Sequence, residues 1–131
     1  MDAKERIVYV IDDDESVRKA FARLLRSANF RAETFASVEE FLRDPKQAGE
    51  ACILADILMP DESGFTLQTR LAASGITLPV IVVSASDDAF VRERVRELGA
   101  SAFFRKPVDD QALLDAIWWA ISESKATKKG T

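Results

Sequence analysis

Five short apolar runs punctuate this chain, and no two are close enough to be joined by a tight hairpin. They are Arg6–Ile11, Arg31–Phe35, the run through Cys52, Ile53 and Leu54 that ends in Asp56, Pro79–Ser84, and Ala102–Arg105. Runs of this length, rich in β-branched residues and bounded by charge, are the pattern of strands buried on both faces. Between them lie segments whose apolar residues recur at helical spacing. Strands separated by helices pair in parallel, through right-handed crossovers that place helices on both sides of the sheet. The expected fold is therefore α/β: one doubly wound, five-stranded, mostly parallel sheet.

The helical segments carry their own start and stop signals. Val17, Phe21, Leu24, Leu25 and Ala28 form one face of a first helix over Glu15–Ala28, with Arg18, Lys19, Arg23 and Arg26 on the other. Ser37 and Glu40 make a capping box that opens a second helix, which ends at Asp44-Pro45. A third helix runs from about Gly64 to Ser74 and closes on Gly75, and a fourth from about Asp87 to Leu98, with Val91, Val95 and Leu98 inward and Gly99 as its stop. Leu113, Leu114, Ile117, Trp118 and Ile121 mark the inner face of the last. From Ser122 onward the residues are polar, as in a disordered tail or linker stub.

Composition narrows the chemistry. A chain of 131 residues is one domain, and Lys plus Arg at 18 against Asp plus Glu at 22 argues against direct nucleic-acid or anionic-membrane binding. There is no histidine, which removes Ser/His/Asp and Cys/His catalysis and the usual zinc sites. The single Cys52 cannot form an internal disulfide, and no signal peptide or long apolar run is present, so the expected compartment is the cytoplasm, with no membrane contact. Any chemistry has to run on carboxylates, hydroxyls and lysine.

The residues that suit such chemistry sit at the carboxyl ends of the predicted strands: Asp12 and Asp13 after the first, Asp56 at the third, Ser84 at the fourth and Lys106 after the fifth. Singly, each has a plain structural use. Asp13 and Asp14 suit a helix start, Ser84 a helix cap, and Lys106 a solvated surface. Together they share one edge of a parallel sheet, the edge where open α/β folds bind ligands. Carboxylates gathered there repel unless a divalent cation neutralises them, and an all-oxygen donor set favours Mg2+, which keeps several waters and completes its shell with a phosphoryl oxygen. Lys106 and Ser84 would then meet the remaining phosphoryl oxygens. The reaction this suits is phosphoryl transfer onto a carboxylate.

Those residues carry a resemblance. The acidic pair Asp12-Asp13, the D-x-x-M-P-x-x-x-G stretch from Asp56 through Met59 and Pro60 to Gly64, Ser84-Ala85 and Lys106-Pro107 resemble the receiver domain of two-component response regulators. The wording VYVIDDDESVR and TFASVEEFL is similar to the nitrogen-fixation regulator subfamily, whose members usually add a helix-turn-helix output domain. The resemblance implies a flavodoxin-like (βα)5 fold with strand order 2-1-3-4-5. It implies a receiver over residues 1–122 followed by a polar tail or linker stub over 123–131. It also implies that Asp56 accepts a phosphoryl group from a sensor histidine kinase, in a signalling domain that is no enzyme beyond self-phosphorylation and slow autodephosphorylation. Asp13 and Asp56 would ligate Mg2+ directly, Asp12 largely through water, and Leu58 by its carbonyl. Ser84, Lys106 and the Ala85 N–H would bind the phosphoryl oxygens, and Phe103 stands at the aromatic switch position. The face made by the fourth helix, fifth strand and last helix is the candidate surface for a homodimer or partner. Two departures are mild, Ser for the commoner Thr at 84 and Phe for Tyr at 103.

One enzyme alternative competes. Asp12-x-Asp14-x-Ser16 after the first strand resembles the nucleophile and acid of a haloacid-dehalogenase-like phosphatase. That reading would make Asp12 the nucleophile, leaves no room for a substrate cap, and leaves the Asp56–Gly64 stretch unexplained.

Overall fold

The computed structural model describes residues 6–43, 50–57, 69–85, 89–97 and 99–130. Its elements follow the expected alternation: β1 (Ile7–Ile11), α1 (Glu15–Ser27), β2 (Arg31–Phe35), α2 (Val38–Arg43), β3 (Ala51–Ile57), a helical segment over residues 69–73 (α3), β4 (Val80–Ser84), α4 (Ala89–Glu97), β5 (Ala102–Arg105) and α5 (Asp110–Gly130). All neighbouring strands pair in parallel, in the order β2-β1-β3-β4-β5. The Asp44-Pro45 stop, Leu58, the loop through Pro60 and Gly64, Asp87 and Leu98 lie outside the described residues, as does the side chain of Val91.

Alternation along the strands sorts the core into two layers. Ile7, Tyr9, Ile53, Val80 and Val82 meet Phe41 of α2, Leu71 of α3 and Val95 of α4 on one face. Val8, Val10, Cys52, Leu54, Ile81 and Val83 meet Ala22 and Leu25 of α1 and Leu113, Ile117 and Ile121 of α5 on the other. Each such fully buried Leu or Ile contributes roughly 1.5–3 kcal/mol of transfer free energy. An aromatic cluster adds to the first layer: the Phe41 ring meets Tyr9 at 5.5 Å and Phe35 at 5.3 Å, both edge to face.

The helix ends use the chemistry read from the residue types. Ser37 Oγ accepts from the Glu40 N–H at 3.0 Å, while Glu40 Oε1 reaches back to the Ala36 N–H at 2.6 Å. Gly75 adopts φ 74°, so that Ile76 N–H returns to Leu71 O at 3.0 Å, a left-handed closure that favours glycine.

One expectation needs correcting on α5. Trp118 was expected on the inner face but is 48% exposed. The buried stripe runs through Leu113, Ile117, Ala120 and Ile121, and a residue about 100° past Ile117 falls at its margin. There the Trp118 ring lies beneath the Arg6 guanidinium, 4.1 Å from the ring centroid. The helix itself continues, in its backbone, to Gly130.

Candidate functional site

The strand order reverses between β1 and β3, because β2 lies on one side of β1 and every later strand on the other. A crevice opens at such a switch point, outside the carboxyl ends of the two strands. Asp12 directly follows β1, and Asp56 is the penultimate residue of β3, with its partner Val83 still in register on β4. The sheet therefore carries Asp56 to its rim as part of the strand rather than as the first loop residue.

Both carboxylates are buried. Asp12 is 2% exposed, and the Asp56 side chain 1%. Lys106, just past β5, reaches across β4 and donates from Nζ to Asp56 Oδ2 in an ion pair. Asp12 Oδ1 accepts from the Asp14 N–H at 2.8 Å. One oxygen of each carboxylate, Asp12 Oδ2 and Asp56 Oδ1, is buried with no hydrogen-bond partner. Desolvation, with the proximity and negative charge of the neighbouring Asp56 carboxyl adding to it, pushes the Asp12 carboxyl up to about 7. The Asp14 N–H and the Lys106 charge pull the other way.

Ser84 is the last residue of β4, fully buried, and its carbonyl accepts from the Lys106 N–H at 2.9 Å, tying the two strand ends together. By strand alternation Ser84 shares the face of Val80 and Val82, with α4, while Asp56 shares the opposite parity with Cys52 and Leu54. Phe103 also faces α4, where it packs half-buried against the core and lies 5.6 Å from the Arg92 guanidinium. Ala85 follows at the exposed end of β4.

The other predicted residues divide. Asp13 is exposed at the rim rather than enclosed with Asp12 and Asp56, and among the described residues no three His, Cys, Asp or Glu side chains gather as a preformed metal cage. Leu58 lies outside the described residues. Asp14 is the N-cap of α1, its Oδ1 accepting from Ser16 N–H at 2.8 Å and Val17 N–H at 3.3 Å. That use gives Asp14 a structural role at the start of α1. One residue escaped the sequence reading. Arg18, assigned by periodicity to the solvent side of α1, is half-buried, and its Nη1 donates to the Asp12 carbonyl at 2.7 Å.

The donor set suits Mg2+. Two buried carboxylate oxygens without partners are what a hard, oxygen-seeking cation satisfies, and Mg2+ takes one or two carboxylates and fills the rest of its shell with water and phosphoryl oxygen. Without such a cation the two orphaned oxygens are a standing electrostatic cost.

Fold and site together define a single flavodoxin-like α/β domain with an acidic, lysine-bridged cleft at its topological switch point. The chain belongs to the response regulator receiver domain family, whose model matches residues 8–118. Response regulator protein TmoT of Ectopseudomonas mendocina is 34% identical over 129 residues, 98% of this chain and 59% of that protein. Transcriptional regulatory protein FixJ of Azorhizobium caulinodans is 35% identical over 117 residues, 89% of this chain and 56% of that one. The crystal structure of FixJ-N superposes with a TM-score of 0.81 at 30% identity, covering 92% of this chain and 96% of that one. The chain spans about half the length of the curated relatives it matches. It is a receiver domain of a two-component phosphorelay, closely related to regulators of the FixJ and TodT type, and a signalling domain rather than an enzyme in the conventional sense. Among the described residues no helix is long and apolar enough to cross a membrane.

Proposed function

We propose that Asp56 is the phosphoacceptor, and that a sensor histidine kinase is its donor in the cytoplasm. In that transfer the P–N bond of a phosphohistidine breaks, a P–O bond to an Asp56 carboxylate oxygen forms, and the imidazole leaves with the electron pair. The observation that carries this reading is the Lys106–Asp56 ion pair beside Asp12 at the switch point. Lys106 donates to the buried Asp56 carboxyl, and the same cation is within reach of a phosphoryl oxygen once the carboxylate is esterified. Ser84, one residue beyond the level of Asp56 on the next strand, supplies a hydroxyl, and the Ala85 N–H a further donor. Mg2+ held by Asp12, Asp13 and Asp56, with the Leu58 carbonyl as a further ligand, would neutralise charge on the transferring phosphoryl group.

Phosphorylation adds about −1.5 to −2 charge at a rim that Ser84 and Lys106 line. Drawn toward it, Ser84 vacates space that Phe103 can enter from the α4 side. The surface that changes is α4-β5-α5, proposed as the homodimer or partner face. DNA binding is not assigned to this chain, whose charge is −4. The test is incubation with a small acyl phosphate and Mg2+, which should add one phosphoryl group by intact mass and none to Asp56→Asn. Labelling that persists in Asp56→Asn but is lost in Asp12→Asn would make Asp12 the nucleophile and overturn the reading.

A further inference from the structure

Asp12 is held at nearly every polar atom it has. Its N–H donates to Phe35 O of β2 at 3.0 Å, its Oδ1 accepts from Asp14 N–H at 2.8 Å, and its carbonyl accepts from Arg18 Nη1 at 2.7 Å. Only Oδ2 is left, buried and without a hydrogen-bond partner, as is Asp56 Oδ1. The carbonyl matters most, because the Asp12 C=O and the Asp13 N–H belong to one planar peptide. A group that holds that carbonyl sets the plane from which both acidic residues enter the site. Arg18 is suited to this: it lies one turn into α1, whose start is fixed by the Asp14 cap, and its side chain folds back over that cap to the end of β1.

We infer that Arg18 is a positioning residue for the acidic cleft, acting through the Asp12–Asp13 peptide and not on the metal or phosphoryl group. The inference rests on the reading of the cleft as a Mg2+ site. It has an unusual sign. A cation close to a cation site weakens binding by Coulomb repulsion, so removing Arg18 as a mere bystander charge would tighten Mg2+ binding. Removing it as the support of the peptide loosens the carboxylates and weakens binding, in the manner of outer partners of metal ligands.

The experiment is calorimetric titration of the whole chain with MgCl2 alone, paired with amide hydrogen exchange at Asp14 measured in EDTA. Asp14 N–H reports the turn directly, since it is bonded to Asp12 Oδ1. Arg18→Ala should raise the Mg2+ Kd by roughly tenfold or more and speed Asp14 exchange by about tenfold. Arg18→Lys keeps a donor that reaches the carbonyl and should restore most of both. Unchanged exchange at Asp14, or Mg2+ affinity equal to or tighter than wild type in Arg18→Ala, overturns the inference. A wild-type chain that binds no Mg2+ overturns the metal reading itself, and the positioning of the turn then stands or falls on the Asp14 exchange alone.

Discussion

Replacing Asp12 with Asn should make the metal-free protein more stable at neutral pH. Asp12 is 2% exposed, one of its oxygens has no partner, and its carboxyl is pushed up to about 7 by desolvation and by Asp56. A carboxyl raised from 3.8 in this way binds more protons in the folded than in the unfolded state between those pH values. Its contribution to stability is therefore fully present below about pH 4 and is lost as pH rises through about 7. At about 1.36 kcal/mol per pH unit, the ceiling on this loss is roughly 4 kcal/mol. Asn keeps the acceptor for the Asp14 N–H and brings an amide that can donate to Asp56 Oδ1, so a gain of about 1–3 kcal/mol is expected at pH 7.5. With unfolding entropy near 2.1 cal/mol/K per residue, that is a rise in Tm of about 4–10 °C. Thermal melts in EDTA at pH 7.5 and pH 5 would measure it, and the gap between variant and wild type should narrow sharply at pH 5. Equal Tm values at pH 7.5, or a gap that does not change with pH, would refute the claim that a buried, like-charged carboxyl pair limits stability here.

Three further outcomes follow from the same geometry. Asp14→Ala removes the α1 N-cap and should cost about 0.5–2 kcal/mol while leaving acyl-phosphate labelling intact; loss of labelling without unfolding would revive the phosphatase reading. Cys52 is fully buried and its thiol is pushed up to about 12 by desolvation, so a thiol reagent at pH 8 should modify it only after denaturation, and stoichiometric labelling of the folded protein within minutes would contradict the packing of β3. Sedimentation with and without beryllofluoride should show a larger species only with the phosphoryl mimic if α4-β5-α5 is the dimer face; a monomer in both states, with unchanged amide exchange from Ala85 to Phe104, would remove that face from the proposal.

What was legible in the sequence was the part dictated by period and topology. Strand alternation and crossover length force all five strand ends to one edge, so Asp12, Asp56, Ser84 and Lys106 converge whatever the loops do. What was not legible depends on reach and on local turns. Nothing in the residue types says that Asp12 turns inward while Asp13 stays exposed; that follows from the Asp14 cap and the hydrogen bonds it receives and gives around Asp12. Helical periodicity assigned Arg18 outward and Trp118 inward, and each sits at the margin of its stripe, where a long side chain can fold either way.

Parity along the strands divides the site residues between the two faces of the sheet. Alternation along β3 and β4 sets Asp56 on the face of α1 and α5, but Ser84 on the face of α4. Phe103 lies on that second face too, opposite Val82 and so one diagonal from Ser84. A phosphoryl group at the rim meets residues of both parities at once. If Asp56 is the acceptor as proposed, a pull on Lys106 would stay with the α1–α5 face, whereas a pull on Ser84 would be felt under α4, where Phe103 and Arg92 meet. On the proposed reading, the serine is the step by which a charge on one face of the sheet would reach the other. Phe103 has no hydroxyl to hold it toward solvent, so the aromatic stacking of Arg92 and the core contacts of its ring are what oppose each other across that step.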